Sequence, residues 1–184
     1  STVAADGSAG RAGAKAAALA RLIAAGLPVP EGFVISADCY RAHLWASGAR
    51  EMAARPGEAE ERVRIRASIL SSSMPDDVRQ AIITAYRSLC EQCGDPALRV
   101  AVRASGVEGG PDLADFPGAY ETYLNVCGEE ALEQAVKRVW ASLWGGKAAA
   151  YRARHELTSE PAMAVVVQRM LSAERAGAAA TANP

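Results

Sequence analysis

The sequence predicts an α/β (α+β) fold in which helices pack on a small sheet, and three patterns carry that expectation. Apolar or β-branched runs of strand length recur at Gly32 to Ser36, Leu98 to Val102, Thr122 to Val126 and Ala162 to Met170. Between them lie longer segments with apolar residues at helical spacing, above all Pro75 to Cys93 and Gly128 to Trp144. Glycines and prolines punctuate the boundaries, as at Gly26, Pro28, Pro30, Pro56 and Gly57. With 184 residues, half of them apolar, the chain can bury a substantial core as one domain or two tightly joined lobes.

The first helix is expected over Ala12 to Ala25, with Leu19, Leu22 and Ile23 on one face and Gly26 just past its end. Pro28 and Pro30 prevent its continuation, Gly32 to Ser36 reads as a strand, and Ser36 or Asp38 can cap a short helix through Leu44 and Trp45. Residues 48 to 60 look like a break between helices. Two amphipathic helices then cover Glu58 to Leu70 and Pro75 to Cys93, the second burying Val78, Ile82, Ala85, Tyr86 and Leu89, with Ser71 to Ser73 as turn and cap. Leu98 to Val102 is a short buried strand that delivers Arg103 to its end. An irregular loop rich in glycine and proline follows, and Thr122 to Val126 returns alongside the first strand. The helix from Gly128 to Trp144 presents Leu132, Val136, Val139, Trp140 and Leu143 on one face, and Trp140 and Trp144 are expected in the core. After Gly145 and Gly146 a further helix carries Lys147, Tyr151, Arg152 and His155. Ala162 to Met170 is apolar almost throughout and suits a strand buried on both faces.

Composition narrows the function. Twenty basic and 21 acidic residues give a formal charge of −1, without the basic excess of a nucleic-acid binder or a block of like charge for an anionic surface. The Ala-rich start from Ala9 to Ala25 is interrupted by Arg11, Lys15 and Arg21, and no stretch approaches the ~20 apolar residues of a membrane span. A cytoplasmic protein with no nucleic-acid or membrane partner is expected. Cys39, Cys90, Cys93 and Cys127 are expected to be free thiols. The pair Cys90 and Cys93 falls at the end of a predicted helix, where no dipole lowers a thiol pKa, and a zinc site would need two further ligands. His43 and His155 are expected at the surface or near helix ends, and neither is assigned catalysis.

The chemistry concentrates between Leu98 and Val126. A guanidinium at a strand end, a hydroxyl across from it on Thr122 and a glycine-rich connection between them suit a polyphosphate. Lys15, following small residues at a helix start, is placed to meet an anion.

Four motifs extend this reading. The string VAVRASG…FPG..ETYLNV resembles the VRSSA…FAGQQETYLN signature of the ATP-binding domain shared by phosphoenolpyruvate synthases, pyruvate phosphate dikinases and rifamycin phosphotransferases. GAKAAALARLIAAGLPVPEGFVIS is similar to that family's GGKGANLAEL…GLPVPPGFVIT segment, WASLWGGKAAAYRARH to its WASLFTDRAIAYRxRHG, and AMAVVVQRM to its VVVQKMV, with AGAAATANP standing where the family has AGVAFTxDP. The resemblance implies an ATP-grasp N-terminal lobe with a mixed β-sheet and packed helices, covering 1 to 184 with a possible helical insertion over 48 to 94. It implies that Lys15 and Arg103 hold phosphates, that Thr122 and the Gly118 backbone support them, and that Gln168, Arg169, Met170 and Leu171 border adenine.

The cofactors implied are ATP and Mg2+, the metal ligands belonging to a second lobe outside this chain. The parent reaction passes the β-phosphoryl group of ATP through a histidine on another domain to an acceptor, and no catalytic residue is assigned within these residues. The isolated chain is therefore expected to be inactive. Several positions depart from the family pattern: Ala14 and Ala16 replace glycines, Ala104 a serine, Val107 a threonine, Gly109 and Gly110 a Glu-Asp pair, Ala119 and Tyr120 two glutamines, and Lys147 an arginine. The competing expectation is a degenerate, non-catalytic nucleotide-binding or regulatory module, and a plain scaffold domain is a third.

Overall fold

The computed structural model describes residues 9–54, 59–107, 120–157 and 161–175. Along the chain these form α1 (Ala9–Ala24), β1 (Gly32–Ile35), α2 (Ala37–Ala46), α3 (Arg50–Ala54), α4 (Ala59–Ser71), α5 (Asp76–Cys93), β2 (Val100–Gly106), β3 (Thr122–Val126), α6 (Glu129–Ser142), α7 (Gly146–Arg154) and β4 (Met163–Arg169). The strands make one sheet in the order β1-β4-β2-β3. Each described pairing is antiparallel, a refinement of the mixed sheet implied by the resemblance, because β4 enters between β1 and β2 running against both.

Alternation along β2 and β4 divides the sheet into two faces. Val100, Val102, Ala104, Met163, Val165 and Val167 point into the main core with Ile35 of β1. Helices α2, α5 and α6 cover this side, with α4 packed behind α6. The opposite face, carrying Ala101, Arg103, Ser105, Val166 and Gln168, is covered by α1. β4 is buried on both sides, which is why its apolar run lacks the alternation of a half-exposed strand.

On the core side, Trp140 and Tyr40 pack edge to face with ring centroids 6.1 Å apart, and the Trp144 indole donates to the Tyr40 hydroxyl at 3.0 Å. Tyr86 of α5 joins three elements: its hydroxyl donates to the Leu98 carbonyl at 2.8 Å and accepts from the Gly128 amide at 3.0 Å. Burial pushes this phenol up to about 12.

Several expectations need correction. β2 continues through Ala104, Ser105 and Gly106, because β4 pairs with it as far as Gly106 opposite Met163. Arg103 therefore lies inside the strand rather than at its end. The break expected over residues 48 to 60 contains the short helix α3, anchored by the fully buried Ala53. His43, expected near the surface, is fully buried against the Trp140 ring, with Nε2 2.9 Å from the Ile69 carbonyl. The apolar stripe of α1 is only partly covered, since Leu22 and Ile23 are exposed while Leu19 faces the sheet. Gly26 ends α1 as expected. At φ 74° it lets its own amide reach the Ile23 carbonyl at 2.9 Å and the Leu27 amide reach Leu22 at 3.0 Å. The AGAAATANP motif at residues 176 to 184 lies outside the described residues.

Candidate functional site

Register places the sequence-predicted residues. Arg103 is paired with Val166 on one side and with Thr122 on the other, so Arg103 and Thr122 share a sheet face. Gln168, opposite Ala101 and Gly32, is on that face too. α1 crosses it, and Ala16 and Leu19 line a shallow cleft with Val34, Val166 and Gln168. Lys15, half-buried, immediately precedes Ala16. One face of the sheet thus carries Arg103, Thr122 and Gln168, and α1, which crosses it, carries Lys15.

The far end of β4 behaves differently. The Gln168 side chain is buried and donates to the Pro30 carbonyl at 3.4 Å. The Arg169 amide donates to Glu31 at 2.8 Å, the Met170 amide donates to Arg99 at 2.9 Å, and the Arg169 guanidinium lies 3.1 Å from the Glu31 carboxylate. The amides of Arg169 and Met170 are thus engaged by the flanking chain, and Leu171, exposed, is the first residue beyond them. Gly118 and the loop around it lie outside the described residues.

α1 is not continuous. Gly13, at φ 80° and ψ 168°, separates a short first segment from the regular helix that begins at Ala14. A Cβ there would fall 2.4 Å from both the carbonyl and the hydroxyl oxygen of Ser105, and 2.7 Å from the Gly106 carbonyl. Glycine is required on both counts, conformation and space. The fully buried Ser105 hydroxyl donates to the Ala12 carbonyl at 2.9 Å and accepts from the Ala16 amide at 3.3 Å.

A second tie holds the beginning of the helix. Asp38 of α2 accepts from the Arg11 guanidinium at 2.7 Å and from Arg41 at 2.9 Å. The Arg11 hydrogen bond, with its charge and the Arg41 pair behind it, holds the Asp38 carboxyl below its ordinary range against the opposing cost of desolvation. These roles of Gly13, Ser105 and Asp38 were not legible in the sequence, although Ser105 keeps the second serine of the family's VRSSA signature and Asp38 stands among the cap candidates of α2. Their partners are backbone atoms or lie in distant segments, and only the inward alternation of Ser105 on an extended β2 would have signalled one of them.

The family model described as pyruvate phosphate dikinase, AMP/ATP-binding domain, matches residues 9–184. The chain belongs to this family. It is similar to the phosphoenolpyruvate synthase of Aeropyrum pernix, with 42% identity covering 94% of this chain and 22% of that protein. The probable phosphoenolpyruvate synthase of Methanocaldococcus jannaschii is 38% identical over 94% of this chain and 16% of its own length. The prodigiosin synthesizing transferase PigC of Serratia marcescens is 39% identical over 95% of this chain and 18% of its own length. The chain spans about a fifth of the length of these curated relatives.

As a member of the pyruvate phosphate dikinase AMP/ATP-binding family, it has the α/β fold of an ATP-grasp-type N-terminal lobe. Among the described residues no group of three or more His, Cys, Asp or Glu side chains is gathered to hold a metal ion, and no helix is long and apolar enough to cross a membrane.

Proposed function

We propose that this chain is the ATP-binding lobe of a dikinase-type phosphotransferase, in which the β-phosphoryl group of ATP passes through a histidine on another domain to an acceptor. The observation that carries the reading is that Arg103, Thr122 and Gln168 share the sheet face crossed by α1, the helix that carries Lys15. The Arg103 guanidinium offers a planar fork to phosphate oxygens and Lys15 a compact charge. The Thr122 hydroxyl and the Gly118 amide donate to the same group. Gln168 to Leu171 border the adenine, with Met170 packing on its face.

Mg2+ would neutralise phosphate charge when bound, and the family resemblance assigns its ligands to a second lobe. The phosphohistidine domain is assigned to the parent protein as well. One set of departures favours a second reading, a nucleotide-binding module without turnover: Gly109, Gly110, Ala119 and Tyr120 replace polar residues in the loop after β2.

The test is Arg103→Ala in a full-length protein carrying this lobe. Loss of a charge-assisted contact to the transferring phosphates is expected to lower kcat/KM by about 2 to 4 kcal/mol in transition-state terms. Unchanged turnover removes Arg103 from the site. A full-length wild-type protein that binds ATP without turning it over establishes the module reading.

A further inference from the structure

Ser105 has no part in the reading above, yet it is a fully buried polar side chain on the α1 face. The helix that begins after Gly13 needs acceptors for its first amides, and the residue at its cap position has no side chain to provide one. Ser105 provides it from another element, accepting from Ala16, the third residue after Gly13, at 3.3 Å. Its own hydroxyl proton goes to the Ala12 carbonyl at 2.9 Å, on the near side of the break. One hydroxyl therefore holds both sides of the Gly13 discontinuity. The missing Cβ of Gly13 is what lets the two chains approach, since a methyl there would lie 2.4 Å from the Ser105 oxygens.

The two cations assigned to phosphate lie immediately beside this contact. Lys15 precedes Ala16, and Arg103 is two residues before Ser105 on the same strand face. We propose that Ser105 is a positioning residue for phosphate binding: with Gly13, it caps α1 from β2 and sets the spacing between Lys15 and Arg103. This rests on the assignment of those two cations to phosphate. Rotation of α1 about its axis, or a slide along β2, would move Lys15 relative to Arg103, and the doubly bonded hydroxyl blocks both movements.

The experiment is a titration of the 184-residue chain, followed by NMR, with ATP, inorganic tripolyphosphate and adenosine as separate probes, together with amide hydrogen exchange at Ala16. Ser105→Ala and Gly13→Ala are each expected to weaken ATP and tripolyphosphate about tenfold, the size of one net hydrogen bond, and to leave adenosine unchanged. Exchange at Ala16 is expected to quicken about five- to tenfold as the cap is lost. Equal weakening of adenosine would mean general damage and overturn the positioning role, as would unchanged tripolyphosphate binding in both variants. Rapid exchange at Ala16 in the unaltered chain overturns it whether or not a variant folds. Lys15→Ala and Arg103→Ala separate the two levels. If they weaken tripolyphosphate and Ser105→Ala does not, only the positioning role falls, and if they too have no effect, the phosphate assignment falls with it.

Discussion

His43 shows how a single side chain can carry a pH dependence. Its ring lies 5.4 Å from that of Trp140, and Nε2 donates to the Ile69 carbonyl at 2.9 Å, which leaves Nδ1 as the unprotonated nitrogen, with no hydrogen-bond partner among the described residues. A second proton would go onto that buried atom. Burial pushes the imidazole below its ordinary value of 6.5, and the nearby Lys137 ammonium adds to the shift, while the Ile69 carbonyl and Glu133 oppose it. Because the folded pKa is the lower one, this contribution to stability is fully present above the unfolded value of about 6.5 and is lost as pH falls toward the folded value. Urea midpoints are expected to drop from pH about 7.5 to about 5.5 in the wild type, and the drop is expected to shrink in His43→Gln. An equal drop in both proteins assigns the effect elsewhere. The sequence offered no hint of this burial, since the partner is a backbone carbonyl 26 residues away. Lys137 hid for the same reason: it is almost wholly buried and donates to the Ser72 carbonyl at 2.9 Å.

Among the elements, those with strong periodicity were the legible ones. α5 and α6 bury the stripes that their spacing marks out, Val78, Ile82, Tyr86 and Leu89 on one and Leu132, Val136, Val139 and Trp140 on the other. β3 has the bounds expected from its β-prone run, although it needs a bulge, with Asn125 at φ 58°, to return Val126 opposite Val100. β2 was read too short because Ala104, Ser105 and Gly106 have weak strand preference, and only the pairing with β4 makes them extended. The break in α1 was invisible because its cause, the Ser105 backbone and hydroxyl, is 92 positions along the chain. Two tryptophans test whether buried stripes carry the stability. Trp140 is fully buried on α6, whereas Trp45 on α2 is 53% exposed with the Arg50 guanidinium stacked 4.1 Å from its ring centroid. Trp140→Ala is expected to cost about 3 to 5 kcal/mol in denaturant unfolding. Trp45→Ala, losing an exposed cation–π contact, is expected to cost about 1 kcal/mol or less. Similar losses in the two would show that α6 does not anchor the core as described.

At the scale of the whole molecule, the architecture sorts stability and ligand chemistry onto opposite sides of one sheet. The core side carries the large buried residues and the helices α2, α5 and α6. The α1 side carries small residues, the Gly13 break and the charged groups. The four separate motifs made the family legible in the sequence, but the common face of Arg103, Thr122 and Gln168 emerged only from the strand register. The proposed second lobe would supply the rest of the nucleotide's surroundings, so the chain by itself is expected to bind ATP at about 0.1 mM or weaker, near −5.5 kcal/mol, and to hydrolyse none. The most direct measurement is an NMR titration of the isotopically labelled chain with ATP and magnesium. The account predicts shifts confined to Lys15 and Ala16, Arg103 to Ser105, Gly118, Thr122, and Gln168 to Leu171. Shifts centred on α4 and α5 with the α1 face unmoved, or micromolar affinity with turnover, would contradict it.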